Sequence, residues 1–173
     1  MIAATQRKLS ESQFFFRHLL KEGQDSARKV PEAFGFYLSA FLSAARSVTF
    51  TLQHEETAKY AAWFDTWFGR LSEEDQDLFR FLKDQRNKVQ KRGGADVITG
   101  SEYVTISPLL GEHLAHTAHG FPSFGDDWFP TQVEIPVHSF QSSRGDQDVI
   151  SACKRYLDLL ERLVNDFLAN KEP

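Results

Sequence analysis

Ala33-Phe34-Gly35-Phe36-Tyr37-Leu38-Ser39-Ala40-Phe41-Leu42-Ser43-Ala44-Ala45-Arg46-Ser47-Val48-Thr49-Phe50-Thr51-Leu52 is the stretch that decides the fold class. Phe34, Leu38, Phe41, Leu42, Ala45, Val48 and Leu52 recur at helical spacing and form an unbroken apolar stripe. Pro31, just ahead, suits the first turn of a helix, where a missing N–H costs nothing. Ser39, Ala40, Ser43, Ala44 and Ser47 lie in the same segment, and small side chains let a second helix approach closely. The segment reads as the central helix of a bundle or as a contact between subunits.

Helical patterning continues on both sides. From about Thr5 to Glu22, Leu9, Phe16 and Leu20 repeat with Phe15 and Leu19 beside them, and Gly23 offers a stop. From about Glu55 to Gly69 a third helix carries Tyr60, Trp63, Phe64, Trp67 and Phe68; this spacing marks a packing face, with base stacking as the alternative use of the rings. Ser72 and Asp75 resemble an N-cap and its reciprocal acid. The fourth helix presents Leu78, Phe79, Leu82 and Val89, then ends at Gly93-Gly94.

Beyond Gly94 the pattern changes. Residues 96–106 favour strand and surround Thr99-Gly100-Ser101, which reads as a hairpin turn. Residues 107–130 contain Pro108, Pro122, Pro130 and several glycines and read as loop. Val133, Ile135 and Val137 alternate along a strand, which Pro136 places at a sheet edge. Asp146 can cap a long last helix striped by Val149, Ile150, Cys153, Leu157, Leu160, Val164 and Phe167. The expectation is one mainly α domain over residues 1–173. It comprises a bundle of about five helices, with a small β-containing insertion at about 95–142 before the last helix.

Bulk properties fit that picture. The chain has 173 residues, 41% apolar and 25% charged, so it is long enough to bury a core without disulfides or metal. Sixteen Phe lie mostly in the helical segments and suit core packing. The single cysteine, Cys153, rules out an intrachain disulfide and sits among apolar residues, which marks a buried structural thiol. No apolar run reaches the ~20 residues of a membrane span, and the N-terminal stretch lacks a signal-peptide core. A cytoplasmic protein without membrane association is expected. A net charge of −4 gives no global attraction to nucleic acid, so any such binding needs a local patch.

One candidate patch is Phe79-Arg80-Phe81-Leu82-Lys83-Asp84-Gln85-Arg86-Asn87-Lys88-Val89-Gln90-Lys91. Lys83, Arg86, Lys88, Lys91 and Arg92 concentrate positive charge at the end of the fourth helix, with Asp84 against them. They could bind phosphate. The ordinary explanation is a solvated helix end whose cations complement its dipole, and Arg86 could also pair with an acidic helix.

This stretch and the order of helices resemble the HEPN superfamily, small α-bundles of toxin–antitoxin, phage-defence and RNA-processing systems. In active members an Arg, often followed by Asn, precedes a His by four to six residues on one helix. The resemblance implies that Arg86 and Asn87 are the catalytic positions of an endoribonuclease, assembled as a homodimer. The expected His position holds Lys91, and a lysine near pKa ~10.4 is a poor base. The resemblance therefore implies a non-catalytic accessory protein that binds RNA or an antitoxin-like protein partner. The alternatives are a residual metal-independent ribonuclease using Arg86, and an interaction protein with no nucleic-acid role.

His113, His116 and His119, with Glu112, Asp126 and Asp127 nearby, are metal-ligand residue types, though their spacing does not converge on a helix. A loop with surface histidines is the preferred reading, and no metal or cofactor is expected. These histidines or His138 are also candidates for the imidazole missing beside Arg86. His54 and Glu55 read as cap or surface residues.

Overall fold

A computed structural model describes residues 2–24, 32–106, 131–141 and 146–169. Among them the chain order is α1 (Ala3–Gln24), α2 (Ala33–Glu55), α3 (Thr57–Gly69), α4 (Glu73–Arg92), β1 (Val97–Ile106), β2 (Thr131–Phe140), β3 (Gln147–Asp148) and α5 (Val149–Ala169). The architecture is the expected mainly α bundle with a small antiparallel sheet ahead of the last helix. None of the described helices is long and apolar enough to cross a membrane.

The stripe of α2 forms the centre of the core. Phe41, Ala45, Val48 and Leu52 are fully buried, with Phe34, Leu38 and Leu42 nearly so. α1 lies along it through Phe16 and Leu19, and the Phe16 and Phe41 rings meet at 5.8 Å. α5 closes the core with Val149, Cys153, Leu160, Leu163, Val164 and Phe167. Each such burial stabilises by about 1.5–3 kcal/mol relative to exposure.

Aromatic residues join α3, α4 and α5. Phe79 of α4 meets Tyr156 edge-on at 5.2 Å and Phe68 at 5.7 Å. Trp67 is buried, whereas Trp63, Phe64 and Phe68 are half-buried at its side. The rings of α3 therefore pack inward first, as their spacing predicts.

The helix ends follow local chemistry, with two corrections. Ser72 caps α4 by accepting the Asp75 N–H at 3.2 Å, but the Asp75 carboxylate turns away to accept from Arg155 at 2.7 Å. α5 is capped by Asp148, which accepts the Ser151 N–H at 2.6 Å, rather than by Asp146. β3 occupies Gln147–Asp148 and delays the helix by two residues. α1 ends at Gln24, one residue past Gly23. A Cβ on Gly23 would stand 3.2 Å from Phe34 Cε2 and 3.3 Å from Ile150 Cδ1, so its bareness permits a close three-helix approach. Gly93 does end α4, at φ 81°, where its N–H bonds to the Val89 carbonyl at 3.0 Å.

The sheet has the order β1-β2-β3. β1 pairs antiparallel with β2 from Val97↔Phe140 to Ile106↔Thr131. The expected hairpin at Thr99-Gly100-Ser101 is absent: Gly100 lies within the ladder opposite Val137. A long partner strand from 131–140 overrides the local turn preference. Pro136 pairs with Ser101 on one side, and β3 reaches only Ser139 and Phe140 on the other. β2 is thus the middle strand rather than the expected edge, although no described strand lies beside Pro136 on the β3 side. Phe140 is fully buried against Phe81, with ring centroids 5.3 Å apart, and fixes the sheet to the middle of α4.

Candidate functional site

α4 is polarised in charge. Glu73, Glu74 and Asp75 fill its first turn and Lys91 and Arg92 its last, each sign matched to the helix dipole. The acidic end is partly neutralised from α5, since Arg155 reaches Glu74 at 3.1 Å and Asp75 at 2.7 Å. These bonds raise the Arg155 pKa further above its ordinary value.

The five cations of the other end differ in their bonding. Lys88 is bound to Asp96 at 2.5 Å. That hydrogen bond, with the charges of Lys88 and Arg92, holds the Asp96 carboxyl below its ordinary range. Arg86 is half-buried and donates from Nη1 to Asn87 Oδ1 at 3.4 Å, while its Nε is buried without a partner among the described residues. Lys83, Lys91 and Arg92 are exposed and form no ion pair among the described residues. With about 100° of turn per residue, these side chains fan around the exposed sides of the last three turns. They form a cationic tip rather than a single row.

Gln85 is the residue that sequence reasoning missed. It is fully buried on α4, and its Oε1 accepts the Asp96 N–H at 3.1 Å. Its Nε2 finds no partner among the described residues. Together Gln85 and Lys88 clamp the α4–β1 turn from the helix side. Amphipathic spacing alone places Gln85 beside Leu78 and Leu82 and could have marked it as inward-facing.

The sheet brings His138 toward the same end of the bundle. Its ring is buried and stacked on Phe34, centroids 3.6 Å apart, and its Nδ1 lies 3.0 Å from Thr99 Oγ1. A cleft of about 310 Å³ runs from Phe34 and Phe36 past Gly93 and Gly94 to Thr99 and His138. The contacts of His138 with Phe34 and Thr99 fit a packed core histidine. His113, His116 and His119 lie outside the described residues. Among the described residues no three His, Cys, Asp or Glu side chains gather as a metal site.

Two other polar groups have structural roles. Cys153 is buried, and its thiol pKa is pushed well up by burial, with the Asp148 charge adding to the effect. Glu55 caps α1 from the end of α2, accepting the N–H groups of Ala4 and Thr5 at 2.9 Å each and the Thr5 hydroxyl at 2.6 Å. On α2, Ala44 is buried and Ser39, Ala40, Ser43 and Ser47 are half-buried, so the small residues lie partly on the outward side.

Comparison with known proteins corrects one expectation. The model of a family described as Bacteriophage lambda protein ea47 matches residues 2–106, which span α1 through β1. This match overturns the HEPN resemblance, whose sequence-specific part was Arg86-Asn87. In the fold these two side chains bond to each other. No curated protein and no solved structure matches the chain. The matched stretch takes in well over half of the residues and the whole of the α4 tip, and the chain belongs to the family of bacteriophage lambda protein ea47.

Proposed function

We propose that this protein acts by binding rather than by catalysis, and that its partner is single-stranded RNA held at the cationic tip of α4. The observation that carries the reading is the exposure of Lys83, Lys91 and Arg92 without an ion pair among the described residues. Their charge is available to phosphate, whereas the charge of Lys88 is paired with Asp96. The test is titration of labelled single-stranded RNA with wild type and with K83A/K91A/R92A, checking RNA integrity on a gel. Intact RNA bound by wild type and released by the variant supports the reading. Cleavage lost in Arg86→Ala would instead establish a ribonuclease.

A second reading, self-association, is favoured by the outward side of α2. Phe36 is 66% exposed and Phe50 50%, and Ser43 stands midway between them in sequence. An antiparallel pair of α2 helices crossing at Ser43 would lay Phe36 on the second copy's Phe50. Sedimentation of wild type against F36S/F50S tests it: a dimer lost in the variant supports the pairing, and a wild-type monomer excludes it.

A further inference from the structure

A second candidate site lies between α3 and α5, away in sequence from the α4 tip and built from different residues. Here a groove of about 730 Å³ is bordered by Lys59, Trp63, Trp67, Arg70, Arg162 and Asp166. Its size falls within the ~300–1,000 Å³ of small-molecule sites.

Among the described residues the charges in the groove do not balance. Asp166 is its one carboxylate among the described residues, and the same oxygen, Oδ2, accepts from Trp67 Nε1 at 2.9 Å and faces Arg162 Nε at 3.5 Å. Lys59 is turned to the C-terminal end of α5. It donates to the Phe167 carbonyl at 3.3 Å and lies 4.6 Å over the Phe167 ring. Arg70, just past the end of α3, is exposed and forms no ion pair among the described residues. Arg162 shares its carboxylate with Trp67. The Arg70 guanidinium is thus left for an anion, and Arg162, ion-paired through Nε with Asp166, can add its Nη donors; planar guanidinium forks suit phosphate.

The rings supply the other half of a recognition site. Trp67 is buried and fixed through its N–H, and Trp63 stacks beside it with centroids 5.7 Å apart. Phe167 meets Trp63 edge-on at 5.2 Å and holds it in place. Trp63 is half-buried and lines the groove, so an ordered indole is presented beside unspent positive charge. A flat base stacks on an exposed indole face whatever its identity.

We infer that this groove binds a nucleoside monophosphate unit, its base against Trp63 and its phosphate between Arg70 and Arg162. The unit could be a free nucleotide or the 5′-phosphorylated end of a single strand; the binding chemistry is the same. This goes beyond the α4 reading and stands or falls separately from it.

Equilibrium dialysis of the full chain against labelled AMP, a 5′-phosphorylated hexanucleotide and inorganic phosphate tests the inference. Saturable binding of AMP or of the hexanucleotide is expected, at least tenfold weaker in R70A/R162A and weaker in Trp63→Phe. Unchanged melting curves would show that both variants are folded. K83A/K91A/R92A should bind AMP as wild type does. Hexanucleotide binding without AMP binding identifies the strand end as the source. Neither ligand bound at millimolar concentration, equal binding by R70A/R162A, or inorganic phosphate bound as tightly as AMP each overturns the inference.

Discussion

The Glu55 carboxylate at the end of α2 accepts the Thr5 hydroxyl at 2.6 Å and the Thr5 N–H at 2.9 Å, joining residues fifty apart in sequence. An acidic group thus supplies from another helix the cap that α1 lacks in its own first turn, where no acid stands. Replacing Glu55 by Ala should destabilise the protein by about 1–2 kcal/mol, the usual scale of a lost cap. Denaturant midpoints of Glu55→Ala, Thr5→Ala and the double variant should reveal coupling between the two sites. Strict additivity would show that the contact contributes nothing in solution.

The same carboxylate sets a dependence on acid. Burial works to raise the Glu55 pKa from its ordinary 4.5, but the bonds from Thr5 and Ala4 outweigh it and lower the value. Asp96 is lowered from 3.8 by the Lys88 hydrogen bond and neighbouring positive charge. A carboxyl with a lower pKa in the folded state stabilises fully above its unfolded value and loses that contribution as pH falls through its folded one. Stability should therefore hold down to about pH 4.5 and decline below it. Denaturant midpoints measured from pH 7 to pH 3 check this, and Glu55→Gln should show a shallower decline.

Phe79 connects the aromatic rings of α3 and α5, touching Phe68, Trp67 and Tyr156. Truncation to Ala leaves a cavity that rigid neighbouring rings fill poorly, at a cost of about 3–5 kcal/mol. Chemical denaturation measures the loss directly. A cost under about 1 kcal/mol would mean that the ring is not in the core.

Cys153 is fully buried and its thiol pKa lies well above the ordinary range. Native protein should resist a thiol-specific reagent at pH 8, while denatured protein should take up one equivalent. Rapid labelling of the native state would contradict the packing of α5 against the core.

Much of the bundle was legible because its helices carry their own signals. The stripe of α2, the stripe of α5 and the Gly93 stop each depend on residues a few positions apart, and each is found where spacing places it. What escaped depends on partners distant in the chain. Gly100 reads as a turn until Val137 is set opposite it. Asp148 becomes the cap of α5 only because β3 pairs with Ser139 and Phe140. The spacing of Gln85 from Leu78 and Leu82 marks it as inward-facing, but its partner, the Asp96 N–H, is supplied only when β1 turns back. The Arg86-Asn87 dipeptide suggested a catalytic motif, yet a two-residue match cannot specify a family, and the match over residues 2–106 assigned a different one. The groove beside Trp63 escaped because Arg70 and Arg162 are ninety-two positions apart, and neither forms a charge cluster locally.

The salt dependence of RNA affinity tests the central claim most directly. Counterion release makes log Kobs fall with log salt by about 0.7 for each phosphate neutralised on a single strand. Wild type should bind labelled single-stranded RNA with a steep slope, and K83A/K91A/R92A should bind more weakly with a slope shallower by about 2. Identical slopes for the two proteins, or no RNA affinity at low salt, would contradict a phosphate-binding role for the α4 tip.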